Sequence, residues 1–258
     1  MSATSSSQPD IAQRADEWKT LLASAHAWHV CPDSISPDAL ERQCLAWLTP
    51  PEQARHQRYR TAALRHAYLV ARALCRTTLS HYTGVDPATW RFTHNAHGKP
   101  AIASPTDFHP LHFNLTGTAG LVVCLVSRAG EVGIDAEEIS GNIDVDLIAR
   151  HFFSPVEQAF LANHPASFFE QWVLKEAYLK GIGCGLSLPP EQFTIQRDPL
   201  GQPLLLDHWQ FTLHRPTPQH IAAAAIDRPG RGLPVSVIWR DARGLLGSVR
   251  RIAKFGAC

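Results

Sequence analysis

Nine residues, Trp172-Val173-Leu174-Lys175-Glu176-Ala177-Tyr178-Leu179-Lys180, embed one acid between two lysines in an aromatic, apolar stretch. At 3.6 residues per turn, Trp172, Glu176 and Lys180 share one stripe of a helix and Lys175 stands beside it. Charged groups near an apolar surface are costly unless they meet charged partners. A divalent cation and phosphates would suit a carboxylate flanked by amines. The same spacing also allows an exposed Glu176–Lys180 salt bridge worth only about 0.2–0.5 kcal/mol. A second acidic pair bears on that choice. Val132-Gly133-Ile134-Asp135-Ala136-Glu137 places carboxylates at i and i+2, on one face of a strand, with Glu138 on the other face. Two acids so close repel, which suits a hard cation, and the same pattern also fits solvated acids at an exposed strand end. Asp135, Glu137 and Glu176 together make an oxygen-donor set for Mg²⁺, with Mn²⁺ as a substitute; Mg²⁺ fills its remaining positions with waters and substrate phosphates.

The elements that must position these residues follow from periodicity and turn chemistry. Strands are expected at Trp28–Cys31, Trp90–His94, Ala101–Ile102 and within Phe113–Ser127, and helix over most of Pro51–Tyr82. In the second half, strands are expected at Val132–Glu137, Phe193–Gln196, Leu204–Leu206, Trp209–Leu213, Ile221–Ile226 and Val235–Trp239. Ser154 to Gly181 reads as helix with a break near His164-Pro165. Three signals recur in order. Thr49-Pro50-Pro51-Glu52 and Ser154-Pro155-Val156-Glu157 are both capping boxes. Ala67-Tyr68-Leu69 matches Ala177-Tyr178-Leu179, and Phe92-Thr93 with Gly98-Lys99-Pro100 matches Phe193-Thr194 with Gly201-Gln202-Pro203. The fold expected is α+β: two similar α+β subdomains in a pseudo-dimer, each with a long helix on a mainly antiparallel sheet. The division is a lead-in at 1–15, a first half at 16–128, a second half at 129–242 and a basic tail at 243–258. On these offsets Asp135, Glu137 and Glu176 correspond to Val30, Pro32 and His66, so one working site at the seam is expected.

The ordered motifs resemble the 4′-phosphopantetheinyl transferases of the larger, two-half (surfactin-synthetase activator) type. Gly133-Ile134-Asp135-Ala136-Glu137 and Trp172-x-x-Lys175-Glu176-x-x-x-Lys180 carry the resemblance, supported by Gly98-Lys99-Pro100, Phe113-Asn114-Leu115 and the basic stretch Arg58–Arg76. It implies transfer of phosphopantetheine from coenzyme A to a serine of an apo acyl, aryl or peptidyl carrier protein, leaving 3′,5′-ADP. It implies Asp135, Glu137 and Glu176 as Mg²⁺ ligands and Glu176 as the base for the incoming serine. Lys99, Lys175, Lys180 and Arg72 become cofactor contacts, with Lys180 also placed in the catalytic set. One departure stands out. The family commonly has Ser-His-Ser after Phe-Asn-Leu, and this chain has Thr116-Gly117-Thr118. Thr116 keeps a hydroxyl, Gly117 has no side chain to give the 3′-phosphate, and backbone N–H groups of Thr116–Thr118 are expected to form an anion nest instead. Weaker discrimination for that phosphate follows. The alternative function is a catalytically weak coenzyme A or carrier-binding relative.

Bulk properties narrow the partners. A net charge of +1 over 258 residues gives no global field for nucleic acid. Met1–Asp10 has no basic and apolar signal-peptide pattern, and no apolar run reaches the roughly 20 residues that span a bilayer. Six scattered cysteines without a CxxC pair fit a reducing, cytoplasmic compartment. No stable membrane association is expected, and duplication suggests a monomer. Gly181-Ile182-Gly183-Cys184-Gly185 reads as a helix stop rather than a nucleotide loop, since it follows a helix. His94, His97, His109 and His112 have no zinc-like spacing. Asp144 and Asp146 read as a loop or helix start, and Trp18, Leu21 and Leu22 as a short helix packed on the domain. Arg250, Arg251 and Lys254 make the tail basic.

Overall fold

The run Leu121–Ser127 has no polar face because both of its faces are buried. The computed structural model describes residues 11–140, 144–228 and 233–247. Their elements, in chain order, are α1 (Ile11–Thr20), β1 (Ser24–Val30), α2 (Pro37–Cys44), α3 (Pro50–Arg58), α4 (Ala62–Thr83), β2 (Arg91–His94), β3 (Pro100–Ser104), β4 (His112–Thr118), β5 (Leu121–Ser127), β6 (Val132–Glu138), α5 (Val145–Phe152), α6 (Pro155–Asn163), α7 (Phe168–Ile182), β7 (Trp209–Thr217), β8 (His220–Asp227), β9 (Ser236–Asp241) and α8 (Arg243–Gly247). The fold is mixed α and β. One sheet has the order β4-β5-β1-β9, a second β6-β8-β7, and β2-β3 is a separate hairpin.

Strand alternation explains the layers. On β5, Val122, Cys124 and Val126 join the core beneath α4, while Leu121, Val123 and Leu125 point the other way. On β8, Ala222, Ala224 and Ile226 meet that second face, and Ile221, Ala223 and Ala225 pack beneath α7. Period-two alternation therefore feeds three cores: helix on sheet, sheet on sheet, and sheet on helix. The small alanines of β8 suit the sheet-to-sheet layer.

Several expectations change. The helix expected over Pro51–Tyr82 is two helices, broken between Arg58 and Ala62. The strands expected at Phe193–Gln196 and Leu204–Leu206 are absent; only the isolated bridges Arg197↔Pro203 and Leu206↔Trp209 form. Around Phe193 the reason is that side chains take the ladder groups. The Phe193 carbonyl accepts Lys175 Nζ, the Ile195 N–H donates to Glu157, and the Ile195 carbonyl accepts Gln171 Nε2. Residues 11–15 of the expected lead-in are helical within α1, which Arg128 fastens by stacking its guanidinium 4.2 Å from the Trp18 ring centroid. Leu21 beyond it is buried, but Leu22 is exposed. Met1–Asp10 and the tail residues Arg250, Arg251 and Lys254 lie outside the described residues. The first sheet takes its last strand, β9, parallel to β1, from the stretch assigned to the second half, and Leu246 of α8 is buried in the first core. The sequence boundaries at 242 and 243 therefore do not separate the packing units. Asp144 caps α5 through the Leu147 N–H.

The two larger sheets share a strand arrangement, in a register other than the one the sequence matches suggest. Both halves place a first strand beside a later hairpin: β1 on β5-β4, and β6 on β8-β7. Both capping boxes form. Helix α4 ends at Gly84 and α7 at Gly183, each with positive φ. Counting back from those glycines, Arg76 matches Lys175, and both reach the capping-box acid of their half, Glu52 or Glu157. Ala67-Tyr68-Leu69 and Ala177-Tyr178-Leu179 are thus not equivalent, and the partner of Glu176 is Thr77 rather than His66. Strand register likewise pairs Asp135 with Trp28 and Glu137 with Val30, since Trp28 faces Cys124 as Asp135 faces Ala223.

Candidate active site

Strand β6 brings Asp135 and Glu137 to the seam between the sheets, where its outer edge runs beside the outer edge of β4. Side chains, not a backbone ladder, tie these edges together. Asn114 Oδ1 accepts the Ile134 N–H at 3.0 Å, Thr116 Oγ1 donates to Asp135 Oδ1 at 3.1 Å, and Thr118 Oγ1 donates to Glu137 Oε2 at 3.1 Å. Helix α7 lies directly on β6 because Gly133 and Gly181 have no side chains. A Cβ on Gly133 would stand 2.0 Å from the Ala177 carbonyl oxygen. That contact carries Glu176 and Lys180 to the acids. Lys180 Nζ donates to Asp135 Oδ1 at 2.5 Å and to Thr116 Oγ1 at 2.9 Å. Its partner is Asp135, so the local Glu176–Lys180 pair allowed by the sequence is not the contact formed.

The acids are electrostatically strained. Burial raises Asp135 above the usual carboxylate range although Lys180 opposes the shift. Burial also raises Glu176, with Asp135 and Glu137 adding repulsion, and burial together with Asp135 raises Glu137. Asp135 Oδ2 is buried without a hydrogen-bond partner. An orphaned carboxylate oxygen among repelling acids is a donor set that fits a hard cation. Among the described residues, no three His, Cys, Asp or Glu side chains already converge as a metal cluster.

A cavity of about 310 Å³ opens beside these groups, with Lys99, Asn114, Leu115, Glu176, Lys180 and Gly183 in its wall. A smaller one of about 170 Å³ shares Pro100 and Leu115 with it and contains Arg55, Tyr68, Arg72 and His94. Arg72 thus lines the adjoining space, its guanidinium 5.4 Å from the Tyr68 ring centroid. A further hollow, about 940 Å³, lies by Arg197 and Glu170 and holds none of the three acids.

Two expected contacts are corrected. Lys175 faces away from the cavity: its side chain is 0% exposed and its ammonium donates to Glu157 at 2.6 Å, 4.1 Å from the Phe193 ring centroid. It is a core ion pair, because the roughly 100° of rotation between neighbouring helical residues carries it off the Glu176 stripe and onto a packed side. The anion nest is also absent. Thr116, Gly117 and Thr118 are extended in β4 and paired with Val123, Val122 and Leu121, so their N–H groups alternate in direction rather than converge. Gly117 is exposed, and a Cβ there would have ordinary contacts at 3.6 Å. It shares a strand face with Phe113 and Leu115, which line the smaller cavity.

Residues 131–229, the stretch holding Asp135, Glu137, Glu176 and Lys180, match the 4′-phosphopantetheinyl transferase superfamily. The chain is 32% identical to the 4′-phosphopantetheinyl transferase HetI of Nostoc sp. over 174 residues, 65% of this chain and 73% of that protein. The chain belongs to the 4′-phosphopantetheinyl transferase family. A phosphopantetheinyl transferase of Thraustochytrium sp. is 29% identical over 250 residues, 86% of each chain, and Sfp of Bacillus subtilis is 28% identical over 163 residues, 61% of this chain and 70% of Sfp. The protein is accordingly a transferase that moves phosphopantetheine from coenzyme A to carrier proteins. No helix among the described residues is long and apolar enough to cross a membrane.

Sequence reasoning missed three residues that build the site. Asn114 was legible only as part of Phe113-Asn114-Leu115. Asn95 could have been found as the Asx residue ahead of the Gly98 turn, whose side chain accepts the N–H groups of His97 and Lys99. Glu131 carries no local signal at all.

Proposed function

We propose that transfer takes place at the β4–β6–α7 seam, with Asp135, Glu137 and Glu176 holding Mg²⁺, or Mn²⁺ in its place. The observation that carries this reading is the orphaned Asp135 Oδ2 among three acids that burial and mutual repulsion shift upward. Bound Mg²⁺ would neutralise charge on the coenzyme A pyrophosphate and polarise the oxygens of the reacting phosphoryl group. Glu176, at the cavity wall, accepts the proton of the carrier serine hydroxyl. Lys180 donates to phosphate oxygens in the reacting state, leaving Asp135 free for the cation. Thr116 and Thr118 hold the acids in place. The 3′,5′-ADP portion extends toward the smaller cavity, where Arg72 faces its phosphate. The shared strand order and paired capping boxes support an internal duplication, and a monomer in which the two halves supply one seam. On this reading the chain divides near 128 and 129, with β9 and α8 returning to the first half.

The test mixes the protein with an apo carrier domain, coenzyme A and Mg²⁺, and weighs the carrier by mass spectrometry. The expected result is the phosphopantetheine mass gain, lost on chelation and restored by Mg²⁺ or Mn²⁺. Transfer at full rate in the presence of chelator would overturn the metal assignment. Coenzyme A binding without any mass gain, across several apo carriers, would favour the catalytically weak binding relative.

A further inference from the structure

We propose that Lys99 and Glu131 form a positioning staple that fixes the end of α7 against the start of β6, and that the Lys99 ammonium is not a phosphate ligand. The proposal rests on the seam being the transfer site, and it adds a residue, Glu131, outside the motifs. Lys99 Nζ donates to Glu131 Oε2 and to the Gly181 carbonyl, each at 2.5 Å. Glu131 Oε1 is in turn 3.0 Å from His112 Nδ1. These bonds from His112 and Lys99 lower the Glu131 carboxyl to about 2. On the same turn, Asn95 Nδ2 donates to the Gly183 carbonyl at 2.7 Å while its Oδ1 organises the turn backbone.

The chemistry of a helix end explains the arrangement. The last carbonyls of α7 have no intrahelical donors and carry the negative end of the helix dipole. Lys99 and Asn95 cover two of them from the β2–β3 turn, and Glu131, one residue before β6, holds the other side of the ammonium. Three segments thereby meet at one point: the turn that walls the cavity, the strand carrying Asp135 and Glu137, and the helix carrying Glu176 and Lys180. Close packing leaves no slack, since a Cβ on Gly183 would stand 2.6 Å from Lys99 Cδ. The second half lacks the device. Its equivalent turn keeps the Asx geometry through Asp198, which accepts the Leu200 and Gln202 N–H groups, but has Gln202 where Lys99 stands.

The experiment compares the full-length wild type with Lys99→Met, Glu131→Gln and the double variant. Glu131→Gln is near-isosteric at a half-exposed position, so it keeps the fold. Amide hydrogen exchange of residues 180–183, coenzyme A affinity, and kcat with an apo carrier are measured. The staple predicts that either single change speeds exchange at the helix end by about tenfold. The double variant should go no further than the singles, because both remove one network. Glu131→Gln should lower kcat while coenzyme A affinity stays within about twofold of wild type. The proposal is overturned if Glu131→Gln leaves exchange and kcat unchanged. It is also overturned if Lys99→Met weakens coenzyme A binding tenfold with helix-end exchange as in wild type, which is the behaviour of a phosphate ligand. A wild type that transfers nothing would sink the seam as transfer site, while the exchange data would still decide the staple.

Discussion

Two regions of the molecule each set a basic side chain of a long helix against a capping-box glutamate, and they differ one residue later. In the first, Glu52 of the capping box pairs with Arg76 of α4, whose guanidinium lies 5.1 Å from the Phe92 ring centroid. In the second, Glu157 pairs with Lys175 of α7, 4.1 Å from the Phe193 ring centroid. The next residue is Thr77 in the first half, its hydroxyl returned to the Ala73 carbonyl, and Glu176 in the second, facing a cavity. Likewise Trp28 and Val30 fill the first core where Asp135 and Glu137 reach the seam. A charge in this protein is therefore architectural when it meets its capping-box partner in the core. It is available for chemistry when its neighbours repel it.

The sharpest way to break this comparison is at adjacent residues of α7. Glu176→Ala should cut transfer by about 10²–10⁴-fold, the usual worth of a positioned base. Its melting temperature without metal should hold or rise, because a carboxyl whose pKa is raised on folding is destabilising when ionised. Near-normal transfer by this variant removes Glu176 from its role. Lys175→Met should do the opposite: it strands buried Glu157 and costs about 3–5 kcal/mol in denaturant unfolding. Arg76→Met, stranding the less buried Glu52, should follow with a smaller loss of the same sign. If Lys175→Met unfolds normally and instead weakens coenzyme A binding, the division between core and working charges is wrong.

Gly133→Ala tests the close approach of α7 to β6, which the acid-bearing strand requires. Overpacking against a backbone carbonyl should cost about 1–3 kcal/mol and lower kcat together, read by unfolding and mass-gain rates on one preparation. The smallest effect is expected at Gly117. Gly117→His places a donor on the face shared with the smaller cavity. It should raise the preference for coenzyme A over 3′-dephospho-coenzyme A by about tenfold in kcat/KM, the worth of one charge-assisted hydrogen bond. An unchanged ratio would mean that this strand position does not meet the 3′-phosphate.

Much of the site was legible because its signals are local. Asp135 and Glu137 share a strand face by a period of two, and Glu176 and Lys180 share a helix stripe by a period near four. The capping boxes at Thr49 and Ser154 also form as local hydrogen bonds must. Lys175 misled because its type and neighbours matched those of Lys180; only the helical position that turns it toward Glu157 separates them. The Ala-Tyr-Leu match misled because three residues of helix former recur at positions with different surroundings. The strand expected around Phe193 failed because distant side chains captured its backbone groups.

By itself, the sequence determined which groups carry charge, which faces are apolar, and where helices begin and end, since capping, periodicity and turn chemistry act within a few residues. Only the tertiary structure decided that Lys180 meets Asp135, that Lys175 is core, that β9 returns to the first sheet, and that Glu131 holds Lys99. Each of those contacts joins residues far apart in the chain, and its energy depends on burial and distance that exist only after the sheets have packed.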